Sequence, residues 1–189
     1  MSSVANSLAK VALIALAFSA ASCRPALVDM YDVLPAIGDP VPFFQYRAFD
    51  GSVVNPESVR GAPTVIVLWS TTCSASRLAL ETVGALHSEY AGKGARVMIL
   101  AEDNDSTAVS TVFEQAGVTV PVALASGSLR DTFTHDQSVL PWRKAFGLPT
   151  FLVLNRKGEV AWRQLGIEQD AKVRLQRLRS VLDSLSVSQ

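Results

Sequence analysis

Apolar and polar positions along this chain follow two periods in turn. Residues 63–70 read PTVIVLWS, an unbroken run of β-branched and apolar residues. A strand with one wet face would alternate, so this run predicts a central strand buried on both faces. From Ser74 to Tyr90 the period becomes helical, with Leu78, Thr82, Val83, Leu86 and Tyr90 on one inward face. Gly92 and Gly94 end that helix. ARVMILA, 95–101, predicts a second buried strand. The stretch 106–116 is helical again: Asp105 or Ser106 is its N-cap, Val109, Val112, Phe113 and Ala116 point inward, and Gly117 closes it. VTVPVAL, 118–124, is a short third strand.

Residues 126–138 are polar and predict irregular chain, and VLPWRKAF, 139–146, predicts a short helix ending at Gly147. TFLVLN and EVAWRQL form a hairpin around Arg156, Lys157 and Gly158. The last helix runs from Glu168 to Leu185. Leu175, Leu178, Val181, Leu182 and Leu185 face the core, while Lys172, Arg174, Arg177 and Arg179 lie on a solvated face. Upstream, PFFQYRAFDGSVV reads as two short strands around Asp50 and Gly51, and Asn55 caps a turn that Pro56 begins. Strand, helix, strand, helix, strand, hairpin, helix is an α/β layer pattern, with parallel buried strands and helices on both faces.

The first 23 residues stand apart. MSSVANSLAK carries one lysine and no acid, and VALIALAFSAAS is an apolar and small-residue run that ends at Cys23. The run is about half of the roughly 20 residues a membrane-spanning helix needs. Charged start, short apolar middle and small-residue end describe a secretory signal peptide, with an uncleaved anchoring helix as the alternative. SAASC resembles a bacterial lipobox, which makes Cys23 a lipidation site. Ala20 stands where leucine is preferred, and ordinary signal peptidase could also cut here and leave Cys23 a free thiol. The expectation is a bacterial protein exported to the cell envelope, on the periplasmic or outer-surface side, anchored rather than spanning. Residues 24–37 form a tether, with four of the nine prolines between Pro25 and Pro42, and residues 38–187 form one domain.

Composition narrows the function classes. The 189 residues have room for one domain with a substantial core, and 49% of them are hydrophobic. Seventeen acidic residues balance 17 basic ones, so no basic surface for nucleic acid is expected. A monomer is expected. His87 lies mid-helix and His135 in the polar loop, without ligand spacing to Cys73 or to each other, so no metal site is expected. His135 reads as an exposed loop residue, with a base near Cys73 as the alternative. No phosphate loop, dinucleotide fingerprint or serine-hydrolase elbow is present, and no cofactor is expected.

The candidate chemistry sits in WSTTCSASR, 69–77. Cys73 falls where a buried strand gives way to a helix, so unpaired N–H groups and a partial positive charge face it. An anion there gains about 0.3–1 kcal/mol, which favours the thiolate. Ser76 is one turn on and its hydroxyl can bond the sulfur, and Arg77 adds positive charge. The alternative is a small buried hydrophobe, as free cysteine often is. With Cys23 lipidated, Cys73 is the only thiol and no internal disulfide forms.

The stretch from Gly38 through Arg77 resembles the opening of the TlpA/ResA-like, AhpC/TSA-related branch of the thioredoxin superfamily. AFGLPTFLVLNRKGEVAWRQLG resembles that branch's second signature, and the likeness spans about residues 38–185. It implies a thioredoxin-like fold: a central mixed β-sheet flanked by helices, an N-terminal β-hairpin and an αβ insertion. By the same resemblance Cys73 is the attacking cysteine, Trp69 the aromatic at the strand end, and Pro149 a cis-proline facing the site. Leu148, Pro149 and Thr150 would then line the place of a bound peptide. The departures are as informative. The branch's second cysteine is Ser76 here, its proton-moving glutamate would fall at Ala79, and its helix-kinking proline at Glu81. The buried aspartate of thioredoxins proper would fall at Val67, and Asn155 replaces an aspartate at the hairpin start.

A serine cannot release a mixed disulfide as a second thiol does, because a neutral hydroxyl does not attack sulfur. A Cys-x-x-Ser site therefore waits for an outside thiol. The leading expectation is a monothiol, oxidoreductase-like protein: Cys73 exchanges with exported thiol or disulfide proteins, or with low-molecular-weight thiols. Two alternatives stay open: a redox-inactive binding module on the same fold, and a one-cysteine peroxidase in which Ser70 stands near the thiol.

Overall fold

A computed structural model describes residues 33–134 and 146–187. Cys23, His135 and nearly all of the short helix expected over 139–146 lie outside these residues. Seven strands form one sheet: β1 Tyr46–Ala48, β2 Val53–Val54, β3 Thr64–Trp69, β4 Arg96–Ala101, β5 Val122–Leu124, β6 Thr150–Leu154 and β7 Val160–Leu165. Their spatial order is β2-β1-β5-β4-β3-β6-β7. β3, β4 and β5 run parallel, while β6 pairs antiparallel with β3 and closes a hairpin with β7. The sheet is therefore mixed, and β3 sits between β4 and β6 with every residue buried.

The helices are α1 Ser74–Tyr90, α2 Ser106–Ala116, α3 Leu129–Phe133 and α4 Ala171–Val187. Alternation along β3 divides the core. Val65, Val67 and Trp69 face a cluster that takes Leu80, Val83 and Leu86 from α1, Val109 and Phe113 from α2, and Leu178 and Leu182 from α4. Ile66 and Leu68 face the other side, covered by Leu129 and Phe133 of α3, Phe146, and the N-terminal residues Val33, Leu34 and Phe44. The three long helices thus share one face, and the second face is covered mainly by loop. Each large apolar side chain buried this way contributes about 1.5–3 kcal/mol. Among the described residues no helix is long and apolar enough to cross a membrane.

Several expectations need correcting. Leu78 was expected inward and is 61% exposed, while Ala79 and Leu80 are buried instead. Ala116 is also exposed. Residues 126–138 are not wholly irregular: Leu129 and Phe133 are buried one turn apart on α3. Arg174 was expected on the solvated face and is only 4% exposed. Its Nε donates to Thr82 Oγ1 at 2.7 Å, and its Nη atoms donate to the carbonyls of Glu168 and Leu78, so it ties α4 to α1. Burial pushes the Arg174 pKa down, and the carboxylates of Glu81, Glu168 and Asp170 push back. The tether expected over 24–37 also does not reach its end free. Val33 and Leu34 are core residues, and Arg163 donates to the carbonyls of Leu34 and Pro35 at 2.7 and 2.8 Å.

Candidate active site

The site forms where β3 ends. Trp69 is the last strand residue, Ser70 to Thr72 make a short link, and Cys73 is the N-cap of α1 with extended backbone. Three anchors hold the link. Asp103 accepts from the Thr71 N–H at 3.0 Å and from its hydroxyl. Arg77 Nε donates to Thr71 O at 2.7 Å. Trp69 Nε1 donates to Ser76 O at 2.7 Å, fixing the first helical turn against the strand.

β6 supplies the opposite wall. Leu68 pairs with Thr150, so the segment just before β6 lies beside the residues just after β3. The Leu148–Pro149 peptide bond is cis. Thr150 Oγ1 donates to Gly147 O at 2.7 Å and holds this turn. The Cys73 thiol donates to Leu148 O at 3.2 Å. A cleft of about 520 Å³ opens here, lined by Cys73, Glu102, Asp103, Arg130, Phe146 and Leu148 among others. A second cleft of about 610 Å³ lies away from the thiol, among Phe49, Phe113 and Pro121, and contains no cysteine.

Partial burial pushes the Cys73 thiol up, but the N–H and hydroxyl of Ser76 and the N–H of Ala75 more than reverse this. The result is a pKa below that of an ordinary thiol. Arg77, expected to help, is exposed and engaged with the Thr71 carbonyl; the groups that lower the thiol are helix donors.

The residues the sequence singled out divide in two. Cys73 and Leu148 are brought together at the cleft, with Pro149 following Leu148. Trp69, Thr150 and Ser76 are each 0% exposed. Trp69 packs edge-on against Phe113, with centroids 5.5 Å apart, so it does not face a ligand. Strand alternation points it into the helix-covered core. Trp69 and Thr150 therefore hold the site's shape without lining it, and Ser76 acts on the sulfur from beneath. The sequence reading missed Glu102, Asp103 and Arg130. A signal for the first two was present: they directly follow the apolar run of β4, and ligand sites in open α/β sheets gather beyond the carboxyl ends of parallel strands.

An α/β fold with a mixed sheet, a cysteine capping the helix after the central strand and a cis-proline opposite has the architecture of thiol-disulfide oxidoreductases of thioredoxin fold. The sequence profile of the redoxin family matches residues 36–182, and the chain belongs to that family. No curated protein matches it by sequence. Among solved structures, it is similar to a thiol:disulfide interchange protein of the thioredoxin family from Chlorobium tepidum, at 20% identity. That match covers 80% of this chain and 98% of the other, with a TM-score of 0.61. The thioredoxin domain of a thiol-disulfide oxidoreductase from Bacteroides vulgatus is 14% identical, covering 78% and 98%, with a TM-score of 0.63. StoA from Bacillus subtilis is 16% identical, covering 79% and 98%, with a TM-score of 0.55. These likenesses establish the fold.

Proposed function

We propose that this protein is an exported, membrane-tethered, one-thiol member of its family. Cys73 exchanges with disulfides or thiols of exported proteins or small molecules. The observation that carries this reading is the Cys73 thiol itself. It caps a helix, its pKa is lowered by helix donors, and it lies 3.2 Å from the backbone of the cis-proline turn. The thiolate attacks one sulfur of a disulfide, that S–S bond breaks, and a mixed disulfide forms. Ser76 cannot release it, so an outside thiol completes the exchange. An extended peptide fits along the Leu148 backbone as an added strand. Residues 1–23 supply the export signal in this reading, and Cys23 the lipid anchor.

Non-reducing electrophoresis of the exported chain tests the thiol. Wild type accumulates adducts that added reductant releases, Cys73→Ser shows none, and Ser76→Cys shortens their lifetime by supplying an internal thiol. Absence of adducts in wild type, with a Cys73 that titrates as an ordinary thiol or higher, overturns the reading in favour of a redox-inactive binding module. The anchor is tested separately by mass spectrometry of the mature N-terminus. An unmodified Cys23 removes it.

A further inference from the structure

Glu102 directly follows β4 and lines the same cleft as Cys73. Its side chain is 14% exposed, and its Oε1 lies 3.8 Å from Arg130 Nη1. Its Oε2 is the one buried side-chain oxygen or nitrogen with no hydrogen-bond partner among the described residues. A buried carboxylate oxygen is normally met by a donor. Here a carboxyl oxygen with no donor among the described residues belongs to a side chain that shares a cleft with a thiol. The neighbouring acid is not equivalent: Asp103 is committed to the Thr71 N–H and hydroxyl. Ala79, where the related branch carries its glutamate, is fully buried and has nothing to ionise.

We infer that Glu102 carries the proton for exchange at Cys73, from the end of β4 rather than from the helix position that Ala79 holds. The inference rests on the exchange reading above. In the first step the Cys73 thiolate, favoured by the helix donors, attacks a disulfide RS–SR′ while Glu102 holds a proton. The Cys73–SR bond forms, the S–S bond breaks, and Glu102 passes the proton to the leaving R′S⁻. In the second step an outside thiol R″SH gives its proton to Glu102 and attacks the SR sulfur. The Cys73 sulfur leaves as the thiolate, and Glu102 keeps that proton for the next cycle. The sum is RSSR′ + R″SH giving R′SH + R″SSR, with Glu102 unchanged. Burial pushes the Glu102 carboxyl above its ordinary value, which favours the protonated form. Arg130 opposes this, and Asp103 and Asp131 reinforce it.

The experiment compares the full chain with Glu102→Gln, using Cys73→Ser as the blank and two disulfide probes. Oxidised glutathione releases an ordinary thiol that needs a proton. 5,5′-Dithiobis(2-nitrobenzoate) releases an aromatic thiolate that leaves without one. Glu102→Gln is expected to slow reaction with oxidised glutathione about tenfold or more near pH 7 and to leave the aromatic probe unchanged. The deficit narrows as pH rises past the ordinary thiol range near about 8.5, where the leaving thiolate is stable in water. Equal slowing with both probes overturns the inference, because the variant has then only altered the thiol's surroundings. No slowing with either also overturns it. In both of those outcomes wild type still reacts and the exchange reading stands. A wild type inert to both probes removes the exchange reading and the role of Glu102 together.

Discussion

The β3–α1 and β4–α2 junctions lie side by side at one end of the sheet, and they are built alike. Trp69 and Ala101, the last residues of the two strands, pair in register. Four residues follow each strand before its helix begins, and the fourth is the N-cap: Cys73 in one, Asp105 in the other. The cap backbones nearly coincide, with φ/ψ of −95°/116° and −112°/105°. What differs is where the helix N–H groups go. Asp105 accepts from Thr107 N at 2.8 Å and from Ala108 N at 3.2 Å, so its helix is closed by its own side chain. Cys73 makes no such bond and turns its thiol to Leu148 O instead. The donors that Asp105 consumes for stability are left at Cys73 to favour a sulfur anion. The same local design gives a cap in one place and a thiol poised for reaction in the other, and the two are joined by Asp103 holding Thr71.

The sharpest way to break this contrast is to give the first junction a proper cap. Cys73→Ser should abolish every disulfide adduct and raise stability by about 0.5–1 kcal/mol, because serine is a preferred N-cap. The pH of the measurement matters. Cys73 has a lower pKa folded than unfolded, so its thiolate contributes stability that is present above the unfolded pKa and lost as pH falls through the folded one. Chemical denaturation at about pH 5 therefore isolates the cap, and the advantage of serine shrinks as pH rises through the thiol range. A Cys73→Ser chain no more stable than wild type at the lower pH would mean that the open donors cost the fold nothing.

Removing the cap that is already satisfied should do the opposite and less. Asp105→Ala should cost about 1 kcal/mol in denaturant unfolding, with the alkylation rate of Cys73 unchanged. A change in that rate would show that α2 capping reaches the thiol, and the two junctions could not be treated as separate devices.

Both caps were readable in the sequence because each is a local event: a residue of the right type between an apolar strand run and a helical period. The limits of α1 and α2 followed for the same reason, whereas α4 begins at Ala171 rather than Glu168 and β5 covers only Val122–Leu124 of the run 118–124. What stayed hidden depends on which elements meet. Arg174 has the spacing of a solvated residue, but α4 packs on α1 so closely that Thr82 and two carbonyls take its guanidinium. Leu78 has the spacing of a core residue, but α1 turns it outward and buries Ala79 and Leu80. The family resemblance placed Trp69 at the site, as the aromatic at the strand end. A strand residue's neighbours along the chain point to opposite faces, and its side chain went to the core. Glu102 is about thirty positions from Cys73 and carries no motif, and only the parallel pairing of β3 and β4 puts the two in one cleft.

The smallest expected effect is also the closest test of why the first junction differs. Ser76 is 0% exposed and its Oγ accepts weakly from Ser70 N, at 3.4 Å, so Ser76→Ala fits the space without a cavity or a clash. It removes the hydroxyl that favours the thiolate, but it keeps the backbone N–H groups of Ser76 and Ala75. The Cys73 pKa should therefore move up, part of the way back to that of an ordinary thiol. The pH dependence of iodoacetamide alkylation reads the shift directly, against Asp105→Ala as the control in which it stays put. The pH dependence of stability should change in the same sense as for the cap variant, but less: with less pKa depression to lose, the Ser76→Ala chain should show a flatter pH dependence across the thiol range than wild type. An unchanged alkylation profile would assign the whole depression to the helix N–H groups, and Cys73 would then owe its character to the empty cap position alone.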